Sequence, residues 1–146
     1  MKNKLYLIII LSSLLLTSCF GLFDSSSDRI IGKYIVLWID LPQNQFISEE
    51  TELNSTSSMG LIEEYVFAVG HDNDYIIAKQ HPTNGFENGF EINTKITNYF
   101  IIDMNRKILK KGEKVFGPLS EIKFNKLRKE LKIENIEFDL TYPEKI

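Results

Sequence analysis

The sequence has little of what most often reveals chemistry: it contains one cysteine, two histidines and one tryptophan in 146 residues. Because a disulfide requires two cysteines, the chain cannot close one within itself, and packing has to hold its fold. The motifs G-x-S-x-G, G-x-x-x-x-G-K-[ST] and G-x-G-x-x-G are absent from the sequence. The spacing S-x-x-K occurs at Ser120-Glu121-Ile122-Lys123, where the serine is better explained as a helix N-cap. These absences argue against serine-hydrolase and nucleotide-binding chemistry.

Basic residues are fewer than acidic ones. The chain has 17 lysines and arginines against 20 aspartates and glutamates, a formal net charge of −3. Overall charge therefore does not draw the protein to nucleic acid or to anionic lipid, and we predict no nucleic-acid partner. Any affinity for a membrane has to come from another source.

The N-terminus carries the signals of export. Lys2 and Lys4 precede an apolar stretch at residues 5–16, an arrangement typical of a secretory signal peptide. The stretch is shorter than the roughly 20 apolar residues that a membrane-spanning helix needs. We therefore predict a signal peptide over residues 1–18.

The single cysteine lies where this segment ends, in the order Leu16-Thr17-Ser18-Cys19. The order resembles the lipobox of bacterial lipoproteins, which implies cleavage before Cys19 and attachment of diacylglycerol to its thiol. Residues 19–28 would then be a lipidated tether for a domain at residues 29–146, anchored to the membrane outside the cytoplasm. Two or three acyl chains hold a protein stably, whereas one does so only marginally. The alternative is an ordinary secretory signal in which Cys19 is incidental.

Four segments predict β-strands because β-branched and aromatic residues are concentrated there: residues 30–40, 61–70, 75–81 and 97–103. The polar residues 71–74 favour a hairpin turn that places Val69 opposite Ile76. A turn at Met104-Asn105 is expected to lead to a short partner strand at residues 107–110. Residues 41–60 are polar without a clear period, which predicts a long connection.

The C-terminal third predicts one helix. Gly117-Pro118 is expected to end the sheet, and Ser120 to cap a helix. The helix carries an apolar stripe: Phe124, Leu127 and Leu131. A last strand or an extended tail follows, with alternating apolar residues: Ile136, Phe138 and Leu140. The predicted fold class is α+β, an antiparallel β-meander of about five strands packed with one C-terminal helix.

Three stretches together carry a resemblance: YVFAVGHDNDYIIAKQHP, TNYFIID and GPLSEIKFNKLRKEL. Their combination resembles a family of short, uncharacterised bacterial lipoproteins with a C-terminal domain of unknown function. The resemblance implies one compact domain and an extracytoplasmic anchor in the cell envelope. It assigns no catalytic residue to the chain.

Aromatic side chains in predicted loops are the candidate contact residues. Phe46, Phe86 and Phe90 would mark a contact site for a protein partner if exposed, as would Trp38 if it lined a groove. The alternative is that they cover the sheet. The leading hypothesis is a small binding or inhibitor-type domain without cofactor or metal, whose partner is an envelope or secreted protein. It is not expected to be an enzyme.

Two other functions stay open. A metal-dependent or acid–base hydrolase would use His71, His81, Glu64 and Asp103. The predicted hairpin places the two histidines roughly 23 Å apart, which is too far for one metal ion. His81 would then either pair with Glu64 or make a hydrogen bond at the strand edge. The third hypothesis is a structural component of the envelope.

Overall fold

The computed structural model describes residues 25–39, 44–83, 92–106 and 113–143, which form nine strands and one helix in two antiparallel sheets. The first sheet has the order β1-β2-β3-β4. Its strands are β1 (Ser25–Ile31), β2 (Tyr34–Ile39), β3 (Phe46–Glu50) and β4 (Ser58–Ile62). Each strand pairs with the next along the chain, so this sheet is an antiparallel meander of four strands.

The second sheet has the order β8-β7-β6-β5-β9. Its strands are β5 (Val66–His71), β6 (Tyr75–Gln80), β7 (Asn98–Asp103), β8 (Val115–Leu119) and β9 (Leu140–Thr141). The helix α1 (Glu121–Leu131) follows β8 directly. Its N-cap is Ser120, whose side chain accepts a hydrogen bond from the Lys123 amide, as the sequence predicts.

The second sheet is the middle of three layers. Ile76 and Ile102 face the first sheet, in one core with Val36 and Ile47. Ile77 lies on the opposite face, in a separate core beneath α1 and the segment that follows it. Because successive side chains of a strand point to opposite faces, two buried faces explain why the centres of β6 and β7 are continuously apolar. The predicted helical stripe is confirmed, with Phe124 buried and Leu127 and Leu131 packed against the same core.

The α+β class is confirmed, but a single meander of about five strands is wrong because the strands form two sheets. The strand predicted at residues 30–40 is a hairpin that turns at Gly32-Lys33, with Gly32 at a φ of 54°. Residues 41–60 contain β3 and the start of β4 rather than a long connection, and the strand predicted at residues 61–70 is divided between β4 and β5. Strand β1 begins at Ser25, so residues 25–28 of the predicted tether are paired with β2.

The predicted hairpin between β5 and β6 exists, with a register two residues away from the expected one. Val69 pairs with Ala78 rather than with Ile76. The turn lies at Asn73-Asp74, one residue later than expected, because the Asp72 amide donates to the Tyr75 carbonyl oxygen and the Asp72 carboxylate accepts the amides of Asp74 and Tyr75. A shift of two leaves every side chain on its predicted face. A bulge between Val66 and Ala68 does change one face, and Val66 joins the core between the sheets.

The sheet continues through Gly117-Pro118, a cis peptide within β8, instead of ending there. A register shift in the pairing of β7 with β8 accommodates these residues. Gly117 lies against the ring of Phe100, where a Cβ atom would approach Cδ1 to 2.3 Å. The partner strand predicted at residues 107–110 lies outside the described residues.

Candidate functional site

Two adjoining cavities form a groove that we call the edge groove. Their volumes are about 500 and 300 Å³, and they share the four residues Leu61, Ile62, Glu63 and Glu64. The larger cavity is completed by the end of β6, the start of β7 and strand β8. The residues concerned are Gln80, Pro82, Thr83, Asn98, Phe100, Val115, Gly117 and Pro118. The smaller cavity adds Phe46 and Gly60.

The groove lies between the outer strands of the two sheets. Among the described strands, β4 ends the first sheet and β8 ends the second. On the other side of the sandwich, β1 packs directly against β5. The sheets are therefore in contact at β1 and β5, and a concave space remains between β4 and β8.

A bulge in β4 supplies the apolar wall. Ile47 pairs with Ile62 and Ser48 with Gly60, which leaves Leu61 as the extra residue of β4. Leu61 lines both cavities. Opposite it, Val115 and Pro118 supply the apolar surface of β8. The groove thus combines apolar walls with several polar side chains, among them Gln80, Thr83 and Asn98.

Residues 63–65, which cross from the first sheet to the second, carry the charge of the groove. Gln80 fixes this crossing, because its side-chain amide lies 3.0 Å from the Glu64 carbonyl oxygen and donates a hydrogen bond to it. Asn98 donates in turn to the Gln80 side-chain oxygen, at 3.2 Å. Tyr65 has a φ of 67°, a value uncommon for a bulky residue. The conformation of the crossing is therefore held by residues of β6 and β7.

The crossing makes the groove acidic. Glu63 and Glu64 are exposed, and they are the only charged side chains in the described lining of the two cavities. Burial raises the pKa of the Tyr65 phenol, and the nearby Glu64 carboxylate adds to the shift. Tyr65 therefore stays neutral at physiological pH, and the two carboxylates set the sign of the local field.

A buried polar cluster, made of Lys114, Tyr34 and Glu49, joins the two sheets. Lys114 is 3% exposed, and its Nζ donates hydrogen bonds to Tyr34 Oη at 2.7 Å and to Glu49 Oε2 at 2.9 Å. Burial opposes the charge of the ammonium, but these two contacts outweigh it, and the pKa of Lys114 is raised. Burial also raises the pKa of Tyr34. A nucleophilic amine has to be neutral, so a charged Lys114 acts as a link between sheets.

A cleft of about 760 Å³ lies beside this cluster, and its charged groups are already paired. Arg106 lies 3.0 Å from Asp103, and Arg29 lies 2.8 Å from Glu50. These internal ion pairs leave the edge groove as the better candidate for binding another molecule.

The structure separates the four residues of the hydrolase hypothesis. His71 ends β5 and Asp103 ends β7 at one end of the second sheet, whereas Glu64 and His81 lie at the other end. The His71 ring lies 3.2 Å from the Asp72 carbonyl oxygen, within the turn. The described residues contain no group of three or more histidine, cysteine or acidic residues placed to hold a metal ion.

Of the two contacts suggested for His81, the structure has the hydrogen bond at the end of its strand. Its Nδ1 lies 2.8 Å from the Ile96 carbonyl oxygen, and its amide donates to the Tyr65 carbonyl oxygen. Its ring stacks on Phe67 with centroids 4.3 Å apart. Since a carbonyl oxygen only accepts, Nδ1 carries the proton in this contact.

The candidate contact residues have different positions. Phe46 lies in β3 and lines the smaller cavity, although the sequence suggested a loop. Trp38 is half-buried in β2 and is not among the described lining residues of the groove. Cys19, Phe86 and Phe90 lie outside the described residues. The sequence did not point to Leu61, Glu63 or Pro118, because two distant strand edges create the groove.

Comparisons with known proteins identify a family without a known function. The model of a family described as protein of unknown function (DUF3997) matches residues 31–143. No curated protein matches the chain, and no solved structure does. Within the described part of the chain, no helix has the length and apolar character to cross a membrane.

Proposed function

The chain belongs to the DUF3997 family, whose function is unknown, and we propose that it is a lipid-anchored bacterial lipoprotein with a small extracytoplasmic binding domain. In this proposal the edge groove takes part of an envelope protein or a secreted protein. The groove is the observation that carries the proposal, because it is concave, apolar-walled and bordered by a crossing that other side chains hold in place.

The anchor rests on the order of the N-terminal residues. Leu16-Thr17-Ser18 precedes the only cysteine, and Lys2 and Lys4 precede the apolar stretch. Strand β1 begins at Ser25, so five residues separate Cys19 from the domain. Even fully extended, the six steps from Cys19 to Ser25 reach at most about 20 Å. A lipid on Cys19 would therefore hold the domain close to the membrane, where envelope proteins are concentrated.

Binding is favoured over the alternatives by the position of the groove residues. Phe46 and Glu64, which the sequence singled out separately, both lie in the groove. The hydrolase hypothesis requires Glu64 to act with His71 and Asp103, which lie at the opposite end of the second sheet. No described feature specifically favours a purely structural role.

Filling the groove tests the proposal. Thr83 is exposed and lines the larger cavity, so Thr83→Trp should occupy it. Thr94 is also exposed and lines neither cavity, which makes Thr94→Trp the matched control. Full-length bait should capture the same partner from detergent-solubilised envelopes as wild type and as Thr94→Trp, and lose it as Thr83→Trp. Recovery of no specific partner, or of equal amounts by all three baits, would contradict the proposal.

A further inference from the structure

We propose that the edge groove binds an extended, basic peptide segment, which pairs along β4 while its lysine or arginine side chains meet Glu63 and Glu64. The inference rests on the proposed binding function and names the chemistry of the partner. It depends on three independent observations: a sheet edge without a described neighbour, an apolar wall beside that edge, and two glutamates with no lysine or arginine in the described lining of the groove.

The free edge belongs to β4. Among the described strands its one neighbour is β3, so half of its backbone groups face away from a partner. Its sequence, Ser58-Met59-Gly60-Leu61-Ile62, lacks the proline and charged residues with which natural proteins protect such edges. At Gly60, no described heavy atom lies within 4 Å of the position that a Cβ would take. The sheet face at Gly60 is therefore open, beside the edge along which a peptide would pair.

Two other sheet edges, those of β8 and β1, carry residues that hinder strand pairing. Strand β8, across the groove, contains Pro118, which has no amide hydrogen to donate. Strand β1, at the far edge of the first sheet, contains the charged residues Asp28 and Arg29. Of these three edges, β4 is the one without a proline or a charged side chain, although it carries the bulge at Leu61.

The part of the edge groove beside β4 suits an extended peptide better than a helix. Its residues follow β4 from Gly60 to Ile62 and then the crossing at Glu63 and Glu64. A peptide that adds as a strand forms backbone hydrogen bonds with the edge and places alternate side chains into the neighbouring cavity. The apolar wall at Leu61 and Val115 would receive one set of alternate side chains.

The charge of the groove selects a basic segment. Glu63 and Glu64 are exposed, and the described lining contains no lysine or arginine to neutralise them. The net charge of −3 reinforces the local field and would steer a basic partner toward the protein. The same carboxylates would repel a lipid phosphate or a nucleic-acid backbone.

A defined probe tests the inference. The probe is a fluorescein-labelled peptide of four valine–lysine repeats, and its binding to full-length protein in a non-ionic detergent is followed by fluorescence anisotropy. The matched valine–glutamate peptide is expected not to bind. Adding salt should weaken the complex, because exposed charges are screened beyond about 10 Å at 0.1 M ionic strength.

A charge-matched pair of variants isolates the groove. Glu63→Gln with Glu64→Gln should weaken binding of the valine–lysine peptide about tenfold, as expected for two exposed ion pairs. The control, Glu134→Gln with Glu137→Gln, changes the net charge equally at two exposed positions outside both cavities. It should bind as wild type does. Equal affinity of both double variants would overturn the inference.

Strand pairing has its own control. A valine–lysine peptide that carries N-methyl groups on alternate backbone nitrogens keeps its charge but loses half of its backbone donors. It should bind more weakly than the unmodified peptide, and equal binding would overturn pairing along β4. In the envelope capture, loss of the partner by Thr83→Trp but not by the Glu63/Glu64 variant would refute this inference alone. Failure to capture any partner would refute the proposed function. Binding of the valine–lysine peptide would still measure whether the groove accepts a basic strand.

Discussion

The ammonium of Lys114 lies 2.9 Å from Glu49 Oε2, and this contact joins the segment before β8 to β3 in the other sheet. The side chain of Lys114 is 3% exposed and that of Glu49 is 16% exposed. A buried ion pair contributes little by itself, but removal of one partner leaves the other charge without compensation. The contact therefore explains how a polar strand such as β3 is retained beside the core.

Removing the ammonium should destabilise the fold. We expect Lys114→Met to lower the free energy of unfolding by about 3 kcal/mol, because the carboxylate of Glu49 would remain partly buried. Lys114→Met combined with Glu49→Gln should restore part of that loss. Urea unfolding measures both changes. The control is Lys126→Met, which breaks an exposed pair with Glu130 and should cost less than about 0.5 kcal/mol. Equal losses for the two single variants would contradict this role of Lys114.

Alkaline pH should destabilise the protein, and Tyr142 should contribute. Burial, helped by Asp28, raises the pKa of Tyr142 to about 12. A phenol whose folded pKa is raised contributes stability that is complete below its unfolded pKa and is lost as pH rises through the folded value. Lys114 has the same sign, because its pKa is also raised. Urea unfolding at several pH values between about 9 and about 12, a range that includes the ordinary tyrosine pKa of about 10, measures how steeply the free energy of unfolding falls with pH.

The phenol of Tyr142 allows a sharper test. Its oxygen is buried and has no hydrogen-bond partner in the described part of the chain. Tyr142→Phe should therefore leave stability at neutral pH unchanged or slightly higher, since no hydrogen bond is lost. It should also reduce the loss of stability at alkaline pH. A variant that is clearly less stable than wild type at pH 7 would show that the hydroxyl makes a contact that matters.

Two strand glycines should lose different amounts of stability on the same substitution. At Gly70 in β5, a Cβ would lie 1.8 Å from the Glu137 carbonyl oxygen, so the backbone would have to move. We expect Gly70→Ala to cost about 3 kcal/mol, the upper range for overpacking. Gly60→Ala meets open space and should cost less than about 1 kcal/mol. Thermal unfolding compares them, and similar melting temperatures would contradict the close approach at Gly70.

Fractionation tests the anchor separately from the groove. Cys19→Ser should release the protein from membranes or leave its signal uncleaved, since serine offers no thiol for the lipid. The matched control is Ser18→Ala, which keeps a small residue before the cysteine. If Cys19→Ser matured and fractionated as wild type does, Cys19 would be incidental and the lipobox interpretation would be wrong.

Local patterns were enough to predict β6, β7 and α1. β6 and β7 each contain a run of four apolar residues, YIIA and YFII, and α1 has a serine N-cap with an apolar stripe. Local patterns did not predict β3, because Glu49 and Glu50 are typical of a solvated loop in sequence. These carboxylates are compensated by Lys114 and Arg29, which lie far away along the chain. Partners at such separation leave no periodic signal.

The candidate site was predictable only in pieces. Phe46 and Glu64 attracted attention as an aromatic residue and a carboxylate, but nothing in the sequence placed them in one groove. Leu61 lines the groove because a bulge makes it the extra residue of β4. The groove itself arises from the packing of β4 near β8, which are more than 50 residues apart in the chain.

Photo-crosslinking in living cells tests occupancy of the edge groove most directly. A photoreactive benzoylphenylalanine would replace Thr83 in the full-length, membrane-bound protein, and Thr94 in the control. The account predicts a discrete crosslinked product at position 83 that is absent at position 94 and is lost when Glu63 and Glu64 are both replaced by glutamine. No product at position 83, or the same product at both positions, would contradict it.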